Sequence, residues 1–123
     1  MDYIDANYIL RYLLKDVDDK YLRAVRIIEN ENLFVPDFIV AEVVYILEKV
    51  YSVERNDINT TLSNLFKYEN INFYNKDIIL QSINIYNINN VDYSDALLIA
   101  YFFSDSENRI HTFDKQIVKI INR

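Results

Sequence analysis

Short apolar stretches alternating with longer helical patterns constrain this chain more than any other feature. Tyr3-Ile4, Leu33-Phe34-Val35, Asn72-Phe73-Tyr74 and Arg109 to Phe113 each read as a brief strand. Between them lie segments of helical periodicity: Asn7 to Lys15, Asp18 to Glu29, Pro36-Asp37 to about Tyr51 with Asp37 as the expected cap, Asn56 to Tyr68 with Asn56 or Asp57 as the expected cap, and Lys76 to about Asn87. A further helix opens near Asp92, and Asp114 to Ile121 closes the chain. Such alternation predicts an α/β domain with a short parallel sheet and helices on both faces, because parallel strands need crossovers and helices supply them. The first helix is apolar nearly all round, which predicts burial or an interface. In the second helix, Leu22, Val25, Ile28 and Tyr21 are expected to face inward. With 123 residues, no linker and no repeat, one domain over residues 1–123 is expected.

Absences narrow the chemistry. No cysteine means no disulfide, thiolate zinc site or cysteine nucleophile. No glycine removes the phosphate loop and the dinucleotide fingerprint, both of which need close backbone approach. A single histidine, His111, excludes a histidine acid–base pair and reads as structural. Carboxylates, hydroxyls and a few cations remain. No apolar run is long enough to span a bilayer, and the start MDYIDANY lacks the basic-then-apolar order of a signal peptide, so a cytoplasmic protein is expected. The formal net charge of −6 argues on its face against nucleic acid, although acids that hold cations would be neutralised where it matters.

The run PDFIVAEVVYILEKV places Glu42 among apolar residues, one turn from Phe38, Ile39 and Ile46. That spacing predicts an inward face, where a lone carboxylate is costly. Other acids fall at corresponding places. Asp5 follows the first strand, Asp92 and Asp95 open a helix, and Asp114 follows the fourth strand in HTFDK. In an open parallel sheet, ligands bind beyond the carboxyl ends of the strands, where Asp5 and Asp114 would project. Two unit charges about 5 Å apart repel by roughly 3 kcal/mol at an effective dielectric of about 20. Four such acids need protonation or a cation, and oxygen-only ligands select Mg²⁺ or Mn²⁺. Such a cation can activate water and stabilise charge on a phosphoryl oxygen.

Plainer roles exist for each acid. Asp5 could sit in a surface turn, Glu42 could reach solvent from the helix edge, and Asp92, Asp95 and Asp114 could serve helix N-termini. Thr112 precedes Asp114 by two residues, and on an extended chain both point the same way, so its hydroxyl could bond an acid or a metal-bound water. Asn7 stands two after Asp5 and could cap the first helix. Arg11, Lys15 and Arg23 are candidate phosphate contacts by chemistry alone.

Taken in order, IDANYILRYL, VPDFIVAEVVYIL, VDYSDALLIA and HTFDK resemble the PIN domain family, and most of all the VapC-type toxins of toxin–antitoxin pairs. The resemblance covers nearly the whole chain. It implies a three-layer PIN-like fold and a Mg²⁺- or Mn²⁺-dependent ribonuclease. Asp5, Glu42 and Asp95 match the principal metal-site acids, and Asp114 the more variable fourth. Thr112 matches the polar residue that accompanies that fourth acid, and Asp92 an acid just upstream of the third. The resemblance also implies an RNA substrate, a homodimer and a cognate antitoxin protein. Acidity and an early end after Asp114 depart from the pattern, the second suggesting a short or missing last edge strand. A phosphoacceptor receiver domain is excluded, because the third strand ends at Tyr74-Asn75 without an Asp. A non-catalytic binding module on the same fold, or a PIN nuclease without an antitoxin, remains the alternative.

Overall fold

The computed structural model describes all of Met1–Arg123. Ten elements follow in order: β1 (Asp2–Tyr3), α1 (Ala6–Leu14), α2 (Asp18–Asn30), β2 (Leu33–Phe34), α3 (Asp37–Lys49), α4 (Arg55–Phe66), β3 (Ile71–Asn72), α5 (Lys76–Ile88), α6 (Tyr93–Phe103) and α7 (Lys115–Ile121). The strands form one parallel sheet in the order β1-β2-β3. Asp2 pairs with Leu33 and Leu33 with Ile71, while Tyr3 pairs with Phe34 and Phe34 with Asn72. Each crossover is a helix pair, α1–α2 and then α3–α4, as parallel pairing demands. The result is the expected α/β domain, a short parallel sheet flanked by helices.

Strand alternation sorts the side chains. Leu33, Val35 and Ile71 are buried, whereas Tyr3, Phe34 and Asn72 take the opposite face. On that face the Phe34 ring lies 5.3 Å from Tyr3 and 4.9 Å from Tyr74. One continuous core of buried apolar residues joins the sheet to all seven helices. Within it α1 packs on α2 and α3, α5 on α4 and α6, and α6 on α3 and α7. No helix is long and apolar enough to cross a membrane.

Several sequence expectations are corrected. Arg109 to Phe113 forms no strand, and β1 and β3 are the outer strands of the sheet. Its alternation is genuine, since Ile110 and Thr112 are half-buried while His111 and Phe113 are exposed. No neighbouring backbone supplies a ladder, and without a partner strand, propensity alone does not make a strand. Leu22 is exposed rather than inward, because α1 covers a narrower stripe of α2, centred on Ala24 and Ile28. The cap of α1 is Asp5, not Asn7. α3 begins after Pro36 with no side-chain cap, its Asp37 bonding elsewhere. α4 starts at Arg55, so Asn56 and Asp57 lie inside its first turn instead of capping it. With no glycine in the chain, α1 ends on Lys15 in the left-handed region, at φ 55°, a conformation glycine adopts without steric cost.

Candidate active site

The acids arrive from three parts of the fold. Asp5 leaves β1 and turns into α1, where its Oδ1 accepts the backbone N–H of Tyr8 at 3.0 Å. Asp114 does the same for α7, its Oδ1 accepting from Gln116 at 2.8 Å and Ile117 at 3.2 Å. Capping thus fixes the rotamers of both carboxylates and leaves each Oδ2 without a protein partner. Thr112 stands behind Asp114: its Oγ1 accepts the Asp114 backbone N–H at 3.0 Å, which orders the turn into α7. The Thr112 hydroxyl thus takes the Asp114 backbone N–H, and it makes no bond to an acid side chain.

Asp92 and Asp95 sit at the head of α6. Asp92 occupies the N-cap position, yet its side chain makes no capping bond, so its carboxylate is free for other work. Asp95 is half-buried in the first turn. Burial pushes its carboxyl above the usual range, and the negative charges of Asp92 and Asp114 push the same way. The heads of α6 and α7 therefore bring Asp92 and Asp114 each into electrostatic reach of Asp95.

The head of α6 is held from behind by Arg55 of α4. One guanidinium nitrogen, Nη1, serves the carbonyls of Tyr86 at 2.9 Å, Asn89 at 3.2 Å and Val91 at 2.6 Å. The guanidinium also lies 4.2 Å from the Tyr86 ring centroid, and its Nε is 3.5 Å from Glu48 of α3. Burial opposes the charge on Glu48, but hydrogen bonds from Lys49 and Tyr86 and the Arg55 charge outweigh it and hold the carboxyl below its usual range. Three helices, α3, α4 and α5, are joined at this point, and through Asn89 and Val91 they fix the turn into α6, which carries Asp92.

Glu42 is exposed, which corrects the expectation of an inward face. Ile39 and Ile46 lie on the covered side of α3, whereas Phe38, Glu42, Tyr45 and Lys49 form an outer stripe. Phe38 is 71% exposed, so the apolar residue one turn away does not mark the core. The stripe nevertheless connects the other acids. Phe38 lines an open groove of about 780 Å³ that also holds Asp5, Tyr3 and Tyr8. Tyr45 and Lys49 line a second cavity of about 290 Å³ that contains Asp92 and Ser94. Glu42 stands between the two on one helix face.

Asp5, Glu42 and Asp92 therefore lie along the outer face of α3 and Asp95 and Asp114 at the heads of α6 and α7, but the fold does not draw the five into one cluster. No group of three or more His, Cys, Asp or Glu side chains is close enough to hold a metal ion. The donors are all oxygen, the set a hard cation takes. The like-charge pressure on Asp95 is what a cation would relieve. Asn7 lies outside this arrangement, and so does exposed His111.

One residue missed in the sequence is Asp37. Its Oδ2 accepts a hydrogen bond from Tyr101 of α6, which pushes that phenol up to about 12. Its Oδ1 is buried without a partner. The bond ties the start of α3 to the helix that carries Asp95. In the sequence Asp37 is indistinguishable from an ordinary cap after Pro36, because the partner lies 64 residues away.

The family model described as PIN domain matches residues 3–121 of the chain. No curated protein and no solved structure matches it significantly.

Proposed function

The chain belongs to the PIN domain family, and on that premise we propose that it is a Mg²⁺- or Mn²⁺-dependent ribonuclease hydrolysing RNA phosphodiester bonds, the toxin of a toxin–antitoxin pair. The observation that carries this reading is the match of the PIN domain model over residues 3–121, and the Asp95 carboxyl, raised by burial and then by the like charges of Asp92 and Asp114, is in keeping with it. On this reading Asp5, Glu42, Asp95 and Asp114 are the ligands of the cation, which requires them to draw together when it binds. When bound, it supplies Lewis acidity toward a phosphoryl oxygen and lowers the pKa of a water. Asp5 and Asp114 each offer a free Oδ2 on a carboxylate already oriented by its helix. Asp92 adds negative charge beside Asp95, and Thr112 keeps the Asp114 turn in place. A homodimer and a cognate antitoxin that covers the acid face complete the reading.

Purified protein incubated with single-stranded RNA is expected to cleave it with Mg²⁺ or Mn²⁺ and to stop in EDTA. Asp5→Asn and Asp95→Asn should each abolish cleavage while melting cooperatively. Cleavage retained in both folded variants would remove the assignment. The second reading, a non-catalytic module on the same fold, is favoured by the lack of a preassembled cluster of three acids. It is the outcome if no metal supports cleavage and none shifts the melting temperature.

A further inference from the structure

Between α1 and α2 lies a cavity of about 170 Å³ lined by Asn7, Tyr8, Arg11, Lys20 and Arg23. Three of its five residues are cations and none is an acid, in a chain with 19 acids and 13 Lys and Arg. Helical spacing assembles it. Asn7, Tyr8 and Arg11 share one side of α1, and Lys20 and Arg23 share one side of α2. Where the helices pack, the two sides form the walls.

The cations are incompletely paired. Arg11 reaches Asp16 from Nη1 at 3.3 Å and the Tyr51 hydroxyl from Nη2 at 3.3 Å. Its Nε is buried and has no acceptor. Lys20 and Arg23 are exposed and make no ion pair within the chain. Gathering three cations on two packed helices carries a repulsive cost that Asp16 offsets only in part. A bound anion would offset the rest.

Position indicates which anion. Tyr8 lines this cavity and also the groove that holds Asp5, and its backbone N–H is bonded to the Asp5 carboxylate. The basic cavity therefore begins one helical turn from Asp5. We propose that it is a phosphate subsite, in which Arg11, Lys20 and Arg23 hold a backbone phosphodiester of a single-stranded nucleic acid whose neighbouring segment passes Asp5. The identity of the strand rests on the nuclease reading above. The subsite supplies the local positive charge that the chain's net charge of −6 lacks. Guanidinium groups fork onto phosphate oxygens, and the Asn7 amide can donate a further bond.

The test is RNA binding in EDTA, where cleavage is off, by fluorescence anisotropy of a labelled single-stranded oligonucleotide across a salt series. Wild type is compared with Lys20→Ala/Arg23→Ala and with Lys20→Arg/Arg23→Lys. Both positions are exposed, so the variants are expected to melt as wild type does, and Arg11 is left in place because it is packed. The alanine pair should weaken binding about tenfold or more. It should also flatten the slope of log K against log salt by about 0.7 for each counterion no longer released. The charge-preserving pair should restore the slope. An unchanged slope in the alanine pair overturns the proposal. A melting shift with inorganic phosphate alongside an unchanged RNA slope also overturns it, because the cavity then takes a free anion and not a strand. The two readings fail separately. Slope loss without cleavage in Mg²⁺ or Mn²⁺ keeps the subsite and removes the nuclease. Cleavage with an unchanged slope does the reverse.

Discussion

Asp95 carries a charge that its surroundings oppose. Burial, Asp92 and Asp114 all raise its carboxyl, so the folded chain holds that proton more tightly than the unfolded chain. The sign follows directly. The ionised group disfavours the fold, and this contribution grows as pH rises from about 4, the ordinary Asp value, through the raised one. In EDTA, Asp95→Asn is expected to melt higher than wild type at pH 7 and to lose part of the decline in stability between about pH 4 and 7. Identical melting curves across that range would show that the acids do not interact. Asp5 separates capping from charge. Asp5→Ala removes the bond to the Tyr8 N–H and should cost about 1 kcal/mol by urea denaturation, whereas Asp5→Asn keeps a capping oxygen and should cost less. Both should lose cleavage, so activity that followed stability instead would assign Asp5 to the cap alone. Asp5 was legible because it follows a strand and opens a helix. Glu42 was legible as an anomaly but misplaced, since periodicity gives an angle around α3 and not which angle another element covers.

Among the elements, α6 depends most on a contact remote in sequence. Arg55 donates to three carbonyls at the end of α5 and the turn into α6. Arg55→Ala leaves those groups short of donors and Glu48 short of a counter-charge, and should cost about 2–3 kcal/mol. Because the turn carries Asp92 and aims α6, the variant should also lose activity at temperatures where it remains folded. Denaturation and cleavage measured on the same sample check both, and a loss below about 0.5 kcal/mol would show that the turn holds without the clamp. Helices were legible within a few residues because each carries a long apolar repeat. Arg109 to Phe113 was not, because its half-buried alternation says nothing of whether a neighbouring strand exists. The starts of α3 and α4 were misjudged for a related reason: Asp37, Asn56 and Asp57 are all good caps by composition, and a distant tyrosine claims the first of them.

At the scale of the molecule, α1 no longer stands as an unpartnered apolar helix. Ala6, Ile9 and Leu10 are buried and Tyr12, Leu13 and Leu14 half-buried within the same chain. A homodimer therefore has to draw on other surface, such as the exposed Leu22 of α2. Sedimentation velocity is expected to show a dimer that Leu22→Asp dissociates, and a monomer at the highest workable concentration would remove that expectation. By itself the sequence determined the alternation of short strands and helices, the parallel sheet this requires, the confinement of chemistry to carboxylates and hydroxyls, and the ordered motifs of the PIN domain. These are local or compositional properties, written in periodicity and in which residue types occur. Only the tertiary structure decided that Glu42 faces outward, that Asp37 belongs to Tyr101, that Arg55 fixes the head of α6, and that Arg11, Lys20 and Arg23 meet in one cavity. Each depends on which surfaces are brought into contact when the helices pack, and that is a property of the whole core rather than of any one segment.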